Sequence, residues 1–220
     1  MPKEKTKTAG KTLILVADPM CSWCWGFVPA MHQIRADYAD RLGLTVIAGG
    51  LRPGTTEPMD DAMKVSIRKH WEHVHEASGQ PFNFNFFERD GFVYDTEPSC
   101  RAVVVARSMD QSRALDMLDA LHKANYADNR DITDPAVLAD IAAEQGYERA
   151  AFADALTSDA ARAATVNDFQ AARSLGVTGF PTLLARQTDD AGEEQYGLLT
   201  AGYRPYDALK PLLEQWVTST

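Results

Sequence analysis

A pair of cysteines two residues apart, placed directly after a short apolar run, is the feature that most constrains the fold of this chain. The run Thr12-Leu13-Ile14-Leu15-Val16-Ala17 ends in Asp18-Pro19 and therefore predicts a buried strand that stops at a turn. The cysteines follow in Met20-Cys21-Ser22-Trp23-Cys24-Trp25-Gly26-Phe27, and the residues after them predict a helix. The positive end of a helix dipole favours thiolate over thiol, and one helical turn separates the two sulfurs. The sequence therefore predicts thiol–disulfide exchange at a strand–helix junction.

Charge and cysteine usage limit the kinds of partner and the compartment. The chain has 220 residues and a formal net charge of −9, which argues against a broad nucleic-acid or anionic-membrane surface. No stretch approaches the roughly 20 apolar residues of a membrane span. Three cysteines are too few for a disulfide scaffold and are typical of a reducing compartment, where such a pair is catalytic or binds metal. We therefore expect a cytoplasmic protein.

The basic start of the chain predicts a solvated tail. Lys3, Lys5, Lys7 and Lys11 precede an apolar run that covers only residues 13–17. That run is shorter than the roughly 7–15 residues of a signal-peptide core. Cleavage after it would also destroy the cysteine pair, so we expect no signal peptide here.

Strand and helix patterns predict three blocks in the order β-α-β, a helical block, and β-β-α. A helical pattern runs from the cysteines to Tyr38 with Pro29 inside it, and the strand that follows is long enough after the first to lie parallel to it. The later predicted strands cover residues 44–48, 181–186 and 196–201, and a closing helix begins at Pro205. The predicted helices of the middle block cover residues 60–77, 113–126, 134–145, 148–157 and 159–175, with one more beginning at Thr96. The aromatic residues 82–87 are the only candidate strand in that block.

Together with the cysteine pair, this order resembles the DsbA family. The match rests on the Cys-x-x-Cys pair at the first strand–helix junction, on Pro29 five residues after Cys24, and on the run Gly176-Val177-Thr178-Gly179-Phe180-Pro181 before the third strand. The start Asp-Pro-Met-Cys-Ser-Trp-Cys-Trp-Gly looks closest to the FrnE-like and predicted protein-disulfide isomerase branch. These features span most of the chain and together form a fairly specific set.

The resemblance implies an α/β structure, a thioredoxin fold with a large all-helical insertion. Residues 11–54 and 165–220 would form the thioredoxin-like domain, and residues 55–164 the inserted helical domain. The resemblance also implies a cis peptide bond before Pro181. The dipeptide Ser22-Trp23 replaces the Pro-His of strongly oxidising periplasmic members and the Gly-Pro of thioredoxin, so the direction of electron transfer stays open.

The hypothesis for the chemistry gives the two cysteines different roles. Cys21 attacks a disulfide as a thiolate, and Cys24 resolves the mixed disulfide that results. Ser22 offers a hydroxyl hydrogen bond to the thiolate. Two inert buried cysteines, or half of a zinc site, are the alternatives. A zinc site of the common kind needs a second ligand pair, which the sequence lacks, so we predict no metal there.

A substrate surface is expected around the proline loop. A cis Pro181 exposes the backbone of Phe180 beside Cys21, where an extended substrate adds main-chain hydrogen bonds. Trp23, Trp25 and Phe180 are candidates for an apolar collar that holds unfolded peptide. For Trp25 a place in the core is at least as well supported, because it lies on the apolar face of its helix.

Two further residues are candidates for auxiliary roles. Asp18, three residues before the first cysteine, is a candidate proton acceptor for Cys24, although an Asp-Pro turn is the simpler interpretation. Cys100 lies in the first turn of a predicted helix and is a candidate third reactive thiol. A single cysteine there is more often a small buried hydrophobe.

Three histidines on one predicted helix invite a metal site, which the helical geometry does not favour. His70 and His73 share a face, but His75 lies about 200° round from His73 at ~100° per residue. Glu72 and Glu76 stand among them, as on a solvated polar face. We therefore predict no metal site on this helix.

The function predicted from the sequence is a cytoplasmic DsbA-like thiol–disulfide oxidoreductase or isomerase. Its expected partners are a disulfide-containing protein or peptide and a glutathione or thioredoxin-type reductant, with no cofactor beyond glutathione as a co-substrate. The protein is expected to be a monomer or a homodimer. The alternatives are a glutathione-dependent isomerase or transferase of the kappa-type and hydroxychromene-carboxylate isomerase group, and a thioredoxin-like chaperone or binding module.

Overall fold

A four-stranded sheet forms the centre of the structure, a computed structural model that describes residues 10–189 and 191–219. The strands β1 (Lys11–Ala17), β2 (Gly43–Ala48), β3 (Thr182–Thr188) and β4 (Glu194–Ala201) have the order β2-β1-β3-β4. β1 and β2 are parallel, whereas β3 is antiparallel to both β1 and β4. The predicted thioredoxin-like order β-α-β followed by β-β-α is confirmed.

Helices form the middle of the chain and flank the sheet. In the described residues they are α1 (Ser22–Tyr38), α2 (Asp61–Ser78), α3 (Glu97–Met109), α4 (Ala114–Tyr126), α5 (Pro135–Glu144), α6 (Arg149–Thr157), α7 (Asp159–Ser174) and α8 (Tyr206–Thr218). The aromatic stretch singled out as a candidate strand contains instead a 3-10 helix at Phe84–Glu88, and a second 3-10 helix covers Gln111–Arg113. The helical insertion is confirmed. The proposed boundary at residues 164 and 165 falls inside α7, and the division into two domains stays a prediction.

The first strand is buried on both faces, as its uninterrupted apolar sequence predicts. Leu13 and Leu15 join the main core, which includes residues of α1, α4 and α8. Ile14 and Val16 point to the opposite face, where a second cluster includes Ala172 of α7. Because successive side chains of a strand alternate between faces, helices on both sides of the sheet bury the whole strand. The site at the end of β1 is therefore attached to the most buried strand of the molecule.

Helix α1 continues through Pro29 with its backbone polar groups still paired. A proline has no N–H, so Pro29 cannot bond the carbonyl four residues earlier, which belongs to Trp25. The Nε2 atom of Gln80 donates to that carbonyl at 3.0 Å. A side chain from the loop after α2 thus replaces the missing helical hydrogen bond.

A partly buried ion pair joins the inserted helices to the sheet. The guanidinium of Arg107 on α3 contacts both carboxylate oxygens of Asp168 on α7, at 2.8 and 2.7 Å. Asp168 also accepts the backbone amide of Ala48 at 2.8 Å, and Arg107 donates to the carbonyl of Val46. The end of β2 is therefore held by two helices that lie far from it in sequence.

The prediction of a solvated basic tail is wrong for Lys11. This residue begins β1 and is only 5% exposed. Its ammonium donates to the carbonyls of Trp216 and Ser219 at the end of α8, the first at 2.7 Å. The last carbonyls of a helix lack partners within the helix and attract a cation. Lys3, Lys5 and Lys7 lie outside the described residues.

Candidate active site

The first cysteine of the pair occupies the N-cap position of α1. Cys21 has an extended backbone, with φ −93° and ψ 113°, and its carbonyl accepts the amides of Cys24 and Trp25 at 2.9 and 3.2 Å. The first amides of a helix point out of its N-terminus without helical partners, and the dipole there favours negative charge. The strand–helix junction therefore places Cys21 at the positive end of the α1 dipole, and its side chain makes no capping hydrogen bond with the first amides of the helix.

The second cysteine lies deeper and holds its proton more tightly. Cys24 is 3% exposed and Cys21 is 7% exposed, and both are free thiols. Burial raises the pKa of the Cys24 thiol well above its ordinary value, and the hydrogen bond to Cys21 and the charge of its sulfur add to the effect. The backbone amide of Asp18 opposes this shift. Cys24 is therefore the cysteine of the pair that burial keeps protonated.

The loop before β3 lies against the first sulfur. The Phe180–Pro181 peptide bond is cis, as the resemblance implied, and the thiol of Cys21 donates to the carbonyl of Phe180 at 3.5 Å. The ring of Phe180 packs on Gly49, where an added Cβ would come within 2.3 Å of ring atoms. Gly49 is thus required for this loop to lie where it does, and the sequence analysis did not foresee that role.

The aromatic candidates separate into a surface residue and a core residue. The ring of half-buried Trp23 lies 5.6 Å from the ring of Tyr203, between the cysteines and the segment after β4. Trp25 is 7% exposed, stacks on Tyr126 at 6.3 Å, and donates its Nε1–H to the carbonyl of Pro81 at 3.0 Å. Trp25 therefore belongs to the core, and this corrects its inclusion among the substrate-binding residues.

Asp18 does more than make a turn, because its buried carboxylate gathers four donors. Its oxygens accept the amides of Met20 and Leu51 at 2.8 and 2.6 Å, and the thiol of Cys100 at 3.3 Å. The hydroxyl of Thr96 is a further donor. Burial raises the pKa of Asp18, although these four hydrogen bonds oppose the shift. Asp18 thus joins the end of β1 to the loop after β2 and to the start of α3.

In the part of the chain that the structure describes, neither Cys100 nor Ser22 makes a hydrogen bond to the side chain of Cys21 or Cys24. Cys100 is fully buried, and burial raises the pKa of its thiol well above the ordinary value, with Asp18 adding to the effect. That placement agrees with the interpretation as a small buried residue. Ser22 is the first residue of α1, and no hydrogen bond of its hydroxyl to Cys21 is found among the described residues.

The described part of the chain has neither a cluster of metal ligands nor a helix that could span a membrane. No three potential ligands come together there as a metal site, and His75 uses its Nδ1 to contact the carbonyl of Gln80 at 2.8 Å. None of the helices in residues 10–189 and 191–219 has the length and apolar character to cross a bilayer.

Two residues of α4 near the cysteines were missed by the sequence analysis. His122 is 1% exposed and its Nε2 lies 3.2 Å from the carbonyl of Asp18. Asp119, one turn earlier, lines a small cavity together with His122, Cys24 and Pro181. Their spacing of three residues places them on one helix face, and this spacing is the one sequence feature that could have pointed to them as a pair. The sequence alone did not show that this face meets the cysteines.

A family model described as DSBA-like thioredoxin domain matches residues 12–212. Among solved structures, a proposed protein disulfide isomerase from Nitrosomonas europaea is 35% identical, with a TM-score of 0.86 over 94% of this chain and 98% of that one. The cytosolic disulfide reductase DsbM from Pseudomonas aeruginosa is 27% identical, with a TM-score of 0.75 over 94% of this chain and 100% of that one. A structure of DsbM with GSH gives a TM-score of 0.73, also at 27% identity, over 93% of this chain and 98% of that one.

A protein that is named as an adapter, not as a disulfide isomerase or reductase, is also similar to this chain. The ClpXP adapter protein SpxH from Bacillus subtilis (strain 168) is 24% identical over 202 residues, which are 91% of this chain. This chain spans 66% of that protein's length, and 64% of the length of SpxH from Halalkalibacterium halodurans.

Proposed function

Because the chain belongs to the DSBA-like thioredoxin domain family, we propose that it catalyses thiol–disulfide exchange through Cys21 and Cys24. The observation that carries the proposal is the position of the first sulfur. The Sγ atom of Cys21 lies at the N-terminus of α1 and 3.5 Å from the carbonyl of Phe180, beside a cis proline. A stabilised thiolate next to an open backbone edge is the arrangement that thiol–disulfide exchange needs.

The reaction has two displacement steps. In the first, the Cys21 thiolate attacks a substrate disulfide, a mixed disulfide forms, and one substrate thiolate leaves. In the second, Cys24 loses its proton and attacks the Sγ of Cys21, the mixed disulfide breaks, and the second substrate thiolate leaves. The protein dithiol is oxidised and the substrate disulfide is reduced. Run in reverse, the same steps donate or rearrange a disulfide.

The pKa of Cys24 links the second step to the first. The negative charge of Cys21 is one of the causes that raise the pKa of Cys24. That charge disappears when the mixed disulfide forms, so the pKa of Cys24 falls at that moment. The resolving thiol is thereby made more reactive only after a substrate is attached.

The proposed substrates are disulfides in proteins or peptides. The backbone of Phe180 offers hydrogen bonds to an extended segment, and Trp23 with Tyr203 offers apolar contact at the same end of the sheet. We propose a cytoplasmic location and a glutathione or thioredoxin-type reductant. The likeness to the cytosolic reductase DsbM, and to its structure with GSH, supports both. In a reducing compartment the reductase or isomerase direction is favoured.

A redox titration tests this proposal. The protein is equilibrated in glutathione buffers, alkylated, and weighed by mass spectrometry, which counts the thiols of the Cys21–Cys24 pair. We expect a reversible disulfide with a potential in or above the cytosolic range of about −220 to −320 mV. Cys24→Ser is expected to trap glutathione on Cys21, and Cys21→Ser to abolish disulfide reduction. The absence of a disulfide between these two residues would overturn the proposal.

An adapter role is a second candidate, favoured by the similarity to SpxH along most of the chain. Such a role would use binding surfaces and would not need a redox cycle. Cys21→Ser separates the two proposals, because it removes exchange chemistry and leaves the surface nearly unchanged. If partner binding survives this change and no exchange activity is found in the unmodified protein, the adapter role is the better account.

A further inference from the structure

Cys24 borders a small cavity between α1 and α4. The cavity has a volume of about 10 Å³. Its walls are mostly apolar, and its polar lining comes from Cys24, Asp119 and His122. A cavity of about 10–15 Å³ is the smallest that holds one water molecule, provided that polar partners surround it.

Two of the lining side chains carry an unpaired acceptor. The Nε2–H of His122 donates to the carbonyl of Asp18 at 3.2 Å, so its Nδ1 carries the lone pair of a neutral imidazole. Within the described residues, neither Nδ1 of His122 nor Oδ1 of Asp119 has a hydrogen-bond partner, and both atoms are buried. Burial lowers the pKa of His122 to about 4, which agrees with a neutral ring. A buried unpaired acceptor is costly, and two beside one cavity need an explanation.

The groups around the cavity match the hydrogen bonds of a single water. Such a water donates one proton to Nδ1 of His122 and the other to Oδ1 of Asp119. Once Cys21 is held in the mixed disulfide and no longer accepts the hydrogen bond of Cys24, the thiol of Cys24 is free to donate to this water. A water in this cavity would satisfy both unpaired acceptors and would connect the carboxylate to the resolving thiol.

The same carboxylate reaches the surface through its other oxygen. The Oδ2 of Asp119 lies 2.7 Å from Nε2 of His32 on α1. The side chain of Asp119 is 15% exposed, whereas that of His32 is 50% exposed. The hydrogen bond to Asp119 raises the pKa of His32, and burial raises the pKa of Asp119. The carboxylate of Asp119 therefore accepts a proton more readily than an isolated aspartate does.

We propose that Asp119 and His32 form the proton relay of the resolving step, with one water held by His122 between the thiol of Cys24 and the carboxylate. The inference rests on the proposed function. When the mixed disulfide is present, the proton of Cys24 passes through the water to Asp119, and His32 exchanges it with solvent. The Cys24 thiolate then attacks Cys21, and the departing substrate thiolate takes a proton from solvent. Asp119 and His32 are positioned to move the proton and do not touch the reacting disulfide.

The other carboxylate near the pair is less suited to this role. Both oxygens of Asp18 already accept hydrogen bonds, from the amides of Met20 and Leu51 and from the thiol of Cys100. Asp18 reaches Cys24 through its backbone amide. A carboxylate whose acceptor positions are taken by four donors must give up a hydrogen bond when it accepts a proton, whereas Oδ1 of Asp119 has no partner within the described residues.

Other charged side chains lie near Asp119 and His32, and one of them provides a control substitution. Arg35 on α1 and Asp116 on α4 are the nearest, and they are paired with each other at the surface. Arg113 and Lys123 line the surface groove that contains His32 and Asp119. Asp116 lies one turn before Asp119 and does not line the cavity. Asp116→Asn therefore reproduces the charge change of Asp119→Asn and leaves the cavity lining and the Asp119–His32 hydrogen bond in place.

Rapid mixing with dithiobis(nitrobenzoate) isolates the resolving step. The reagent forms a mixed disulfide with Cys21 and releases one thionitrobenzoate, and the attack by Cys24 releases a second. We expect Asp119→Asn to leave the first release unchanged and to slow the second by about 100-fold, a usual value for loss of a general base. Its second release should also rise in proportion to hydroxide, whereas the unmodified protein shows a flatter profile. Asp116→Asn should behave as the unmodified protein, and Cys24→Ser should show the first release alone.

The outcomes separate the relay from the proposed function. If Asp119→Asn and Asp116→Asn resolve at the same rate with the same pH profile, the relay is overturned while the exchange chemistry stands. If the unmodified protein gives no second release, the proposed function itself fails. His32→Gln changes a half-exposed residue and decides the matter if Asp119→Asn does not fold. Slowing of its second release alone supports the relay, and unchanged kinetics overturn it.

Discussion

The two carboxylates nearest to the cysteine pair lie in contrasting surroundings. Asp18, at the end of β1, is fully buried and accepts hydrogen bonds from backbone amides, a hydroxyl and a thiol. Asp119, on α4, has one oxygen paired with a surface histidine and the other buried without a partner. The same side chain, close to the same thiols, is saturated in one region and half-paired in the other.

The contrast suggests a division between holding the site and serving its chemistry. A buried carboxylate surrounded by donors fixes the backbone that carries it, because each donor loses its partner if the carboxylate is removed. A carboxylate with a free oxygen and a route to solvent gives up little when it gains or loses a proton. We therefore assign the structural role to Asp18 and the proton-moving role to Asp119.

The largest effect is expected from exchanging each carboxylate for an amide. In Asp18→Asn an NH2 group replaces one carboxylate oxygen and faces the donors that this oxygen accepts in the unmodified protein. Buried donors left without partners cost about 1–3 kcal/mol each. We expect a loss of about 4 kcal/mol in the free energy of unfolding, measured by urea titration, against less than about 1 kcal/mol for Asp119→Asn. Equal losses in the two variants would contradict the division of roles.

The sequence predicted the sheet and the first cysteine better than the surroundings of the second. Apolar runs, turn residues and the Cys-x-x-Cys pair are local signals, and they were enough for β1 and α1. The cis bond before Pro181 was expected from the family resemblance alone. Lys11 was misjudged because its partners are carbonyls of α8, more than 200 residues away. Asp119 and His122 were missed for the same reason, since only the packing of α4 against α1 brings them to Cys24.

Acid is expected to lower the stability of the folded protein through His122, which lines the cavity. Its pKa in the folded protein is about 4, below the ordinary 6.5, because burial disfavours the charged ring. Between these values the unfolded chain binds a proton that the folded protein does not, so stability falls as the pH drops from 6.5 to 4 and levels off below. The loss approaches about 3 kcal/mol.

Urea unfolding at a series of pH values measures this effect. His122→Gln removes the titrating ring and should show a shallower decline than the unmodified protein over the same range. Asp119→Asn serves as the control for the neighbouring carboxylate. An unmodified protein with no steeper acid loss than His122→Gln would mean that the ring is not held neutral, and the pairing assigned to the cavity would then need revision.

The smallest effect is expected from substitutions of Cys100. They test whether Asp18 and the groups bound to it have a purely structural role. Cys100→Ala removes one of four donors and a buried sulfur, which we expect to cost about 1 kcal/mol in the free energy of unfolding. Cys100→Ser keeps a donor for Asp18 and should lose less. The thiol of Cys100 is fully buried and donates a hydrogen bond to the carboxylate of Asp18. We therefore expect neither substitution to alter the redox potential of the Cys21–Cys24 pair. A shifted potential in Cys100→Ala, or a disulfide that includes Cys100 in the alkylated unmodified protein, would give this side of the site a chemical role and remove the contrast with Asp119.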